Sequence, residues 1–174
     1  ELSAWNQRFN LTAICEPEQI QLKHFLDSLT VALVWRAGVA TVIDVGAGAG
    51  FPGLPLKILA PHIRLTLVEA TAKKVEFLRH IIELLRLEGA TALHARAEEQ
   101  AHQPAHRERY DLVLARAVAA LPELLEYTLP FAALGGSVIV HKSAAAQQEV
   151  QDATQAFLLL GGVLELSLIH ISEP

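Results

Sequence analysis

Residues 41–61 have the sequence TVIDVGAGAGFPGLPLKILAP, an apolar run, a glycine-rich loop and a second apolar run. The first run, Thr41–Val45, is typical of a buried strand, and the run after the glycines has the composition of a helix. Asp44 and the glycines at positions 46, 48 and 50 form the pattern D-x-G-x-G-x-G. A glycine loop between a strand and a helix is typical of a site for a nucleotide-like ligand.

Three classes of ligand use such a loop: nucleoside triphosphates, dinucleotides and S-adenosylmethionine. No G-K-[ST] follows the glycines, which excludes a P-loop. Gly48, Gly50 and Gly53 match the dinucleotide pattern G-x-G-x-x-G, but Pro52 lacks the N–H that a pyrophosphate needs there. The Asp44 carboxylate would repel a phosphate and attract an α-ammonium or sulfonium group. The loop therefore favours S-adenosylmethionine.

Strands and helices are predicted to alternate along the chain. Apolar or β-branched runs predict strands at Thr41–Val45, Arg64–Glu69, Thr91–Ala95, Asp111–Ala115 and Ser137–Val140. Residues 72–89 have a helical period and end at Gly89, where a left-handed residue is wanted. This alternation predicts an α/β fold, a mostly parallel sheet with helices on both faces. We expect a short N-terminal helical segment over residues 1–40, followed by the sheet domain over residues 41–166.

Glu69 ends the second predicted strand, about twenty residues after the loop, where a carboxylate can accept hydrogen bonds from ribose hydroxyls. Ala97 and Glu98 follow the third strand and are placed to line an adenine pocket. NAD sites and S-adenosylmethionine sites share these features. They predict an adenosine ligand without separating the two.

The composition is that of one globular domain, with 174 residues, of which 52% are hydrophobic and 19% are charged. The single Cys15 excludes a disulfide framework and suits the cytoplasm. No metal site is predicted, because the spacing of His94, His102 and His106 fits no common site. The net charge is −5, so any nucleic acid must be bound through a local basic patch.

We expect the chain to be truncated at both ends, because it begins within a helix-like run and stops within a strand-like one. The N-terminus lacks a signal-peptide pattern, and no apolar run is long enough to span a membrane. We expect residues 167–174 to be a non-native tail.

Several segments resemble the bacterial 16S ribosomal RNA guanine-N7 methyltransferases, the glucose-inhibited division protein B family. They are WNQRFNLTAI (5–14), HFLDSL (24–29), VIDVGAGAGFPGLPLKI (42–58), VEATAKKVEFLR (68–79), RAEE (96–99) and DLVLARAVA (111–119). The resemblance extends from Trp5 to about Leu166. It implies a class I, Rossmann-like methyltransferase fold, S-adenosylmethionine as the methyl donor, and N7 of guanine 527 in 16S ribosomal RNA as the target.

The resemblance also implies roles for individual residues. With the loop residues above, the cofactor site would consist of Asp44, Gly46, Gly48, Gly50, Phe51, Glu69, Ala70, Thr71, Ala97, Glu98 and Arg116. Arg116 and Lys142 are the predicted catalytic residues, and the predicted RNA contacts are His24, Asp27, Lys73 and Lys142. The family has Lys-Gly where this chain has Lys142-Ser143, and its final strand pair is represented here by Val163–Leu166 alone.

The predicted reaction needs no general base. Guanine N7 carries an in-plane lone pair and no proton, so catalysis consists of holding nucleophile, methyl group and sulfur in line. The fourth strand is followed by ARAVA rather than the Asn/Asp-Pro-Pro-Tyr/Phe loop of amino-group methyltransferases. Two alternatives stay open, an NAD(P)-dependent oxidoreductase and a non-catalytic donor-binding scaffold. The expected partner is 16S ribosomal RNA or the small ribosomal subunit, and the expected state is a cytoplasmic monomer with no membrane contact.

Overall fold

The computed structural model describes residues 1–116, 119–142 and 146–165. At its centre lies a five-stranded parallel sheet with the strand order β3-β2-β1-β4-β5. The strands are β1 (Thr41–Val45), β2 (Arg64–Glu69), β3 (Ala90–His94), β4 (Tyr110–Arg116) and β5 (Ala132–His141). The strand order reverses between β1 and β4. The loop that follows β1 therefore lies at the switch point, where ligands bind in sheets of this type.

Helices precede the sheet and connect its strands, because parallel strands require crossover connections. Before the sheet lie α1 (Leu2–Phe9) and a helical run composed of α2 (Pro17–Ile20), a π-helical turn (Gln21–Leu26), α3 (Asp27–Leu29) and a 3-10 turn (Thr30–Leu33). The later helices are α4 (Gly53–Leu59), α5 (Ala72–Leu84), α6 (Ala97–Ala101), α7 (Leu121–Thr128) with a 3-10 turn (Leu129–Phe131), α8 (Ala146–Asp152) and α9 (Thr154–Leu160).

The sheet is buried on both faces. On β1, Val42 packs in one cluster with Leu67 and Leu112, and Ile43 packs in a second cluster with Val68. Neighbouring side chains of a strand point to opposite faces, so the central strand of a covered sheet needs apolar residues at successive positions. The predicted α/β class, with a parallel sheet and helices on both faces, is confirmed.

Two boundaries differ from the predictions for local reasons. Helix α5 ends at Leu84 rather than at Gly89, because Arg86 adopts a left-handed φ of 50° and leads the chain out of the helix. Gly89 instead turns the chain into β3. Strand β5 begins at Ala132, before the predicted Ser137, because the pairing with β4 continues through a shift in register.

The predicted sixth strand, Val163–Leu166, is wrong for its described part, since residues 163–165 are not in a strand. A strand needs a ladder partner. The described sheet ends at β5, which pairs with β4 alone. Glu165 instead forms an exposed ion pair with Arg36, with 2.5 Å between nitrogen and oxygen. Leu166 and the predicted tail lie outside the described residues.

The N-terminal segment packs beside the glycine loop. Trp5 of α1 contacts the ring of Phe77 on α5, with 5.5 Å between ring centroids. Leu11 is buried in the same cluster as Ala49 and Phe51 of the loop. Residues 1–40 therefore reach the edge of the sheet at which the strands end. The helices of the described ranges all lack the length and apolar character that crossing a membrane requires.

Candidate functional site

The glycine loop after β1 turns through left-handed backbone conformations. The φ angles of Gly46, Gly48 and Gly50 are 69°, 57° and 91°, a region that side chains disfavour. The N–H groups of Gly46 and Ala47 both donate to the carbonyl of Val68, at 2.9 and 3.0 Å. These bonds hold the loop against the end of β2.

Asp44 lies beneath the loop and is fully buried. Its Oδ2 accepts a hydrogen bond from the N–H of Gly53 at 2.9 Å, which connects β1 to the start of α4. Its Oδ1 is buried without a hydrogen-bond partner among the described residues. Burial raises the pKa of Asp44 to about 7, although the Gly53 N–H and the charge of Arg116 oppose this rise. The carboxyl group can therefore gain or lose a proton near neutral pH.

We expect Asp44 to make the stability of the donor-free protein fall as the pH rises. In the unfolded chain the group ionises near pH 3.8, whereas in the folded protein it keeps its proton up to about pH 7. Between these values folding takes up a proton. The free energy of unfolding therefore decreases by up to about 1.4 kcal/mol per pH unit, and the loss is complete above pH 7. Urea unfolding from pH 5 to 8 should show this slope in the wild type and not in Asp44→Asn. Parallel pH curves for the two proteins would contradict the assignment.

Glu69 joins the ends of β1 and β2 through its carboxylate. Oε2 accepts from the N–H of Gly48 at 2.9 Å, and Oε1 accepts from the N–H of Thr71 at 2.8 Å. A carboxylate has about four acceptor positions. The predicted bonds to ribose hydroxyls can therefore coexist with the two backbone bonds. Ala70 and Thr71 are exposed beside this carboxylate, at the mouth of the loop.

Phe51 lies where the glycine loop meets the N-terminal helices. His24 stacks on its ring with 4.7 Å between centroids and 20° between planes, and Phe25 contacts it edge-on at 5.1 Å. Arg116, the last residue of β4, lies with its Cζ 5.3 Å from the Phe51 ring centroid. The structure thus brings together three residues predicted from separate segments: Phe51, His24 and Arg116.

The guanidinium of Arg116 is bonded to the helical run before the sheet. Its Nη1 donates to the carbonyl of Lys23 at 3.2 Å and lies 3.4 Å from Oδ2 of Asp27, and its Nη2 donates to Nδ1 of His24 at 3.1 Å. An arginine at the end of an apolar strand needs such partners, since an unpaired buried charge is costly. The predicted RNA contacts His24 and Asp27 are therefore direct partners of Arg116.

Lys73 lies on the rim of the site. Its Nζ is 5.8 Å from the centroid of the Phe9 ring, and the Cζ of Arg8 lies 5.1 Å from the same ring. Two cations from α1 and α5 therefore share one aromatic ring at the sheet edge that carries the loop. This is a local basic patch in a chain whose net charge is −5.

Three other predicted site residues, Lys142, Ala97 and Glu98, have no contact with Phe51 among those that the described residues show. Lys142 is paired with Glu149 at 2.7 Å and donates to the carbonyl of Ala119, so its ammonium is held between β5 and α8. This pairing lowers the pKa of Glu149. Ala97 and Glu98 begin α6, beyond β3. The roles of these three residues remain predictions.

Asn6 and Thr12 also belong to the site, although no role was predicted for either. The amide of Asn6 bonds to both backbone groups of Thr12, and the Thr12 hydroxyl lies 2.7 Å from Nε2 of His24. Both residues lie within the family-like segment WNQRFNLTAI. This motif indicates that the segment matters to the family, but the roles of Asn6 and Thr12 depend on contacts that the motif does not reveal.

The residues around the loop fit S-adenosylmethionine. The unpaired Oδ1 of Asp44 and the remaining acceptor positions of Glu69 suit a molecule that carries ammonium and hydroxyl donors. At Gly48 an added Cβ would meet nothing closer than 3.8 Å. The left-handed φ angle of Gly48 disfavours any residue that has a side chain. The backbone at this position therefore stays open to a ligand.

The family model for GidB, rRNA small subunit methyltransferase G, matches residues 1–172. The chain belongs to this family. It is 52% identical over 162 residues to the ribosomal RNA small subunit methyltransferase G of Roseiflexus sp. (strain RS-1), which covers 93% of this chain and 69% of the relative. It is 49% identical over 177 residues to the protein of that name from Chloroflexus aggregans, which covers 100% of this chain and 74% of the relative.

Solved structures share the fold of this family member at low sequence identity. P. horikoshii TYW2 in complex with MeSAdo is 18% identical with a TM-score of 0.62, covering 77% of this chain and 49% of that one. The precorrin-6y C5,15-methyltransferase of Geobacter metallireducens is 14% identical with a TM-score of 0.60, covering 80% and 72%. The predicted family, the class I methyltransferase fold, and an rRNA methyltransferase that uses S-adenosylmethionine are thereby confirmed.

Proposed function

We propose that this chain transfers the methyl group of S-adenosylmethionine to N7 of guanine 527 in 16S ribosomal RNA. Family membership supports the ribosomal substrate class. The proposal of a specific target base rests on one observation: the donor loop and Arg116 meet at Phe51. Phe51 directly follows Gly50 of the loop, and the Arg116 guanidinium lies 5.3 Å from its ring centroid. A guanidinium beside the donor loop can donate to O6 of the guanine, which leaves the N7 lone pair free to attack the methyl group.

The arrangement supports a reaction without a general base. Nδ1 of His24 accepts from Arg116, and Nε2 of His24 is bonded to Thr12. Asp27 is paired with Arg116. The titratable side chains next to Phe51 are therefore occupied by structural contacts, which suits a nucleophile that carries no proton.

Bound S-adenosylmethionine supplies an electrophilic methyl group on a sulfonium centre. The glycine loop, Asp44 and Glu69 would hold it. Arg116 would orient the guanine beside the ring of Phe51, which is buried. Proximity and orientation of this kind account for large rate increases when the reactants are held in line.

The basic patch of Arg8 and Lys73 around Phe9 supports RNA binding next to this site. Phosphate contacts from lysine and arginine provide most sequence-independent affinity for nucleic acids. The chain would act in the cytoplasm as a monomer, with the small ribosomal subunit or its RNA as the partner. Lys142 is retained in this proposal as a residue that approaches RNA once its bond to Glu149 opens.

Arg116→Ala is expected to reduce methyl transfer by about tenfold or more, since one charged hydrogen bond is worth about 1.5–3 kcal/mol. The assay combines the protein, labelled S-adenosylmethionine and small subunits from cells that lack this methylation. Nucleoside mass spectrometry should identify 7-methylguanosine, and primer extension after cleavage at that base should locate it.

Arg116→Lys serves as the matched variant, because it keeps the charge and loses the planar pair of donors. We expect its methyl-transfer rate to remain closer to that of Arg116→Ala than to that of the wild type. A methyl group found on another atom of the RNA would reject the proposed target. Full activity in a folded Arg116→Ala protein would reject the role of Arg116.

A further inference from the structure

We propose that Asn6 and Thr12 are positioning residues that hold His24 in one tautomer and thereby keep the Arg116 guanidinium at Phe51. The inference rests on the proposed function for the use of Arg116 in methyl transfer. Its structural part, the control of His24 and Arg116 by the N-terminal segment, stands on the contacts alone.

The first link is a two-point clamp between Asn6 and Thr12. Nδ2 of Asn6 donates to the carbonyl of Thr12 at 2.9 Å, and the N–H of Thr12 donates to Oδ1 of Asn6 at 2.8 Å. The side-chain amide of Asn6 thus donates one hydrogen bond to the Thr12 backbone and accepts one from it, as a paired residue of a β-sheet does. Asn6 belongs to α1, which packs on α5 through Trp5. The clamp therefore connects Thr12 to the rigid part of the domain.

The second link fixes the protonation of the His24 ring. Arginine has five donors and no acceptor, so Nδ1 of His24 must carry a lone pair to accept from Arg116 at 3.1 Å. Burial, followed by the charge of Arg116, lowers the pKa of His24 and favours the neutral ring. A neutral ring without a proton on Nδ1 carries it on Nε2. Nε2–H therefore donates to the Thr12 hydroxyl oxygen at 2.7 Å.

The Thr12 hydroxyl is itself held in place. Its oxygen also accepts from the N–H of Ile14 at 3.1 Å, which orients it toward the histidine. Without this oxygen, the Nε2–H group of a buried ring would lose its acceptor. The other tautomer would place a hydrogen between Nδ1 and Arg116, where two donors would face each other.

The third link is local to the helix that carries His24. Lys23 and His24 lie in the π-helical turn Gln21–Leu26, a feature frequently found at functional sites. The Lys23 carbonyl accepts from Arg116, and the His24 carbonyl accepts from the Ser28 hydroxyl at 2.5 Å. Two backbone carbonyls of this turn therefore accept hydrogen bonds from side chains. The turn presents Lys23 O, His24 Nδ1 and Asp27 to the same guanidinium.

The test compares Thr12→Val, which removes the hydroxyl at nearly constant shape, with Thr12→Ser, which keeps it. We expect Thr12→Val to lower the single-turnover methylation rate by about tenfold, since one hydrogen bond to a charged or buried partner is lost. Affinity for S-adenosylmethionine should stay within about twofold. Thr12→Ser should restore most of the rate. Thr91→Val, an exposed threonine on β3, is the matched control for the substitution itself.

The second readout is the imidazole 15N spectrum of His24, which needs neither donor nor RNA. In the wild type and in Thr12→Ser, Nε2 should be protonated and Nδ1 should not. In Thr12→Val the two nitrogens should move toward averaged shifts. Should Thr12→Val fail to fold, Asn6→Ala keeps the hydroxyl and removes its clamp, and the same direction of change is expected in both readouts.

The outcomes separate the inference from the proposed function. Wild-type shifts and a wild-type rate in Thr12→Val would overturn the inference. Averaged shifts with an unchanged rate would also overturn it, provided that Arg116→Ala is slow. If Arg116→Ala is itself fully active, the assignment of Arg116 in the proposed function fails. The nitrogen spectrum would then still decide whether Thr12 sets the tautomer of His24.

Discussion

Glu69→Ala is expected to lower affinity for S-adenosylmethionine by about a hundredfold and the free energy of unfolding by about 2–4 kcal/mol. The Glu69 side chain is buried and accepts from two backbone N–H groups, those of Gly48 and Thr71. Each N–H left unpaired costs about 1–3 kcal/mol. The same deletion removes the predicted acceptor for the donor's ribose. Titration calorimetry and urea unfolding measure the two effects.

Glu69→Gln separates the contribution of the second oxygen from that of side-chain size. A glutamine has one acceptor oxygen, so its NH2 group must face either the Gly48 or the Thr71 N–H. We expect it to lose most of the donor affinity and about half of the stability that Glu69→Ala loses. Glu69→Gln with the affinity and stability of the wild type would show that the two backbone bonds are unimportant.

Gly50→Ala is expected to destabilise the domain by about 2–5 kcal/mol, a large part of the stability of a domain. Gly50 has a φ of +91°, and an added Cβ would lie 2.3 Å from Leu54 Cδ1 and 3.1 Å from Leu78 Cδ2. Leu78 is fully buried in the core and Leu54 is nearly so. The methyl group of the new alanine would therefore overlap these two leucine side chains, in addition to straining the backbone.

Gly38→Ala is the matched control, since Gly38 has a φ of +85° and an added Cβ there meets nothing within 4 Å. Backbone strain alone should cost it about 1–2 kcal/mol. Both substitutions restrict the unfolded chain in the same way, so this contribution cancels in the comparison. The difference between the two unfolding free energies, expected near 1–3 kcal/mol, is the cost of the overlap. Equal losses would show that the packing around Gly50 relaxes.

The sequence by itself determined the fold class and the ligand class. Both depend on short-range patterns: the alternation of strands and helices, the glycines at positions 46, 48 and 50, and an acid at the end of each of the first two strands. Such patterns act through backbone geometry and local charge, which do not require knowledge of distant neighbours. The family-like segments added methyl transfer to small-subunit ribosomal RNA, which the comparisons confirm.

The tertiary structure decided which side chains contact each other. Arg116 and His24 are far apart in sequence, and their 3.1 Å hydrogen bond exists because the helical run before the sheet packs at the end of β4. Lys142 was predicted to be catalytic and to contact RNA, and its ion pair with Glu149 of α8 is a contact that only the tertiary structure reveals. Asn6 and Thr12 gained their roles in the same way. A hydrogen bond depends on distance and angle within tenths of an ångström, and the packing of distant elements, rather than the sequence around each residue, sets that geometry.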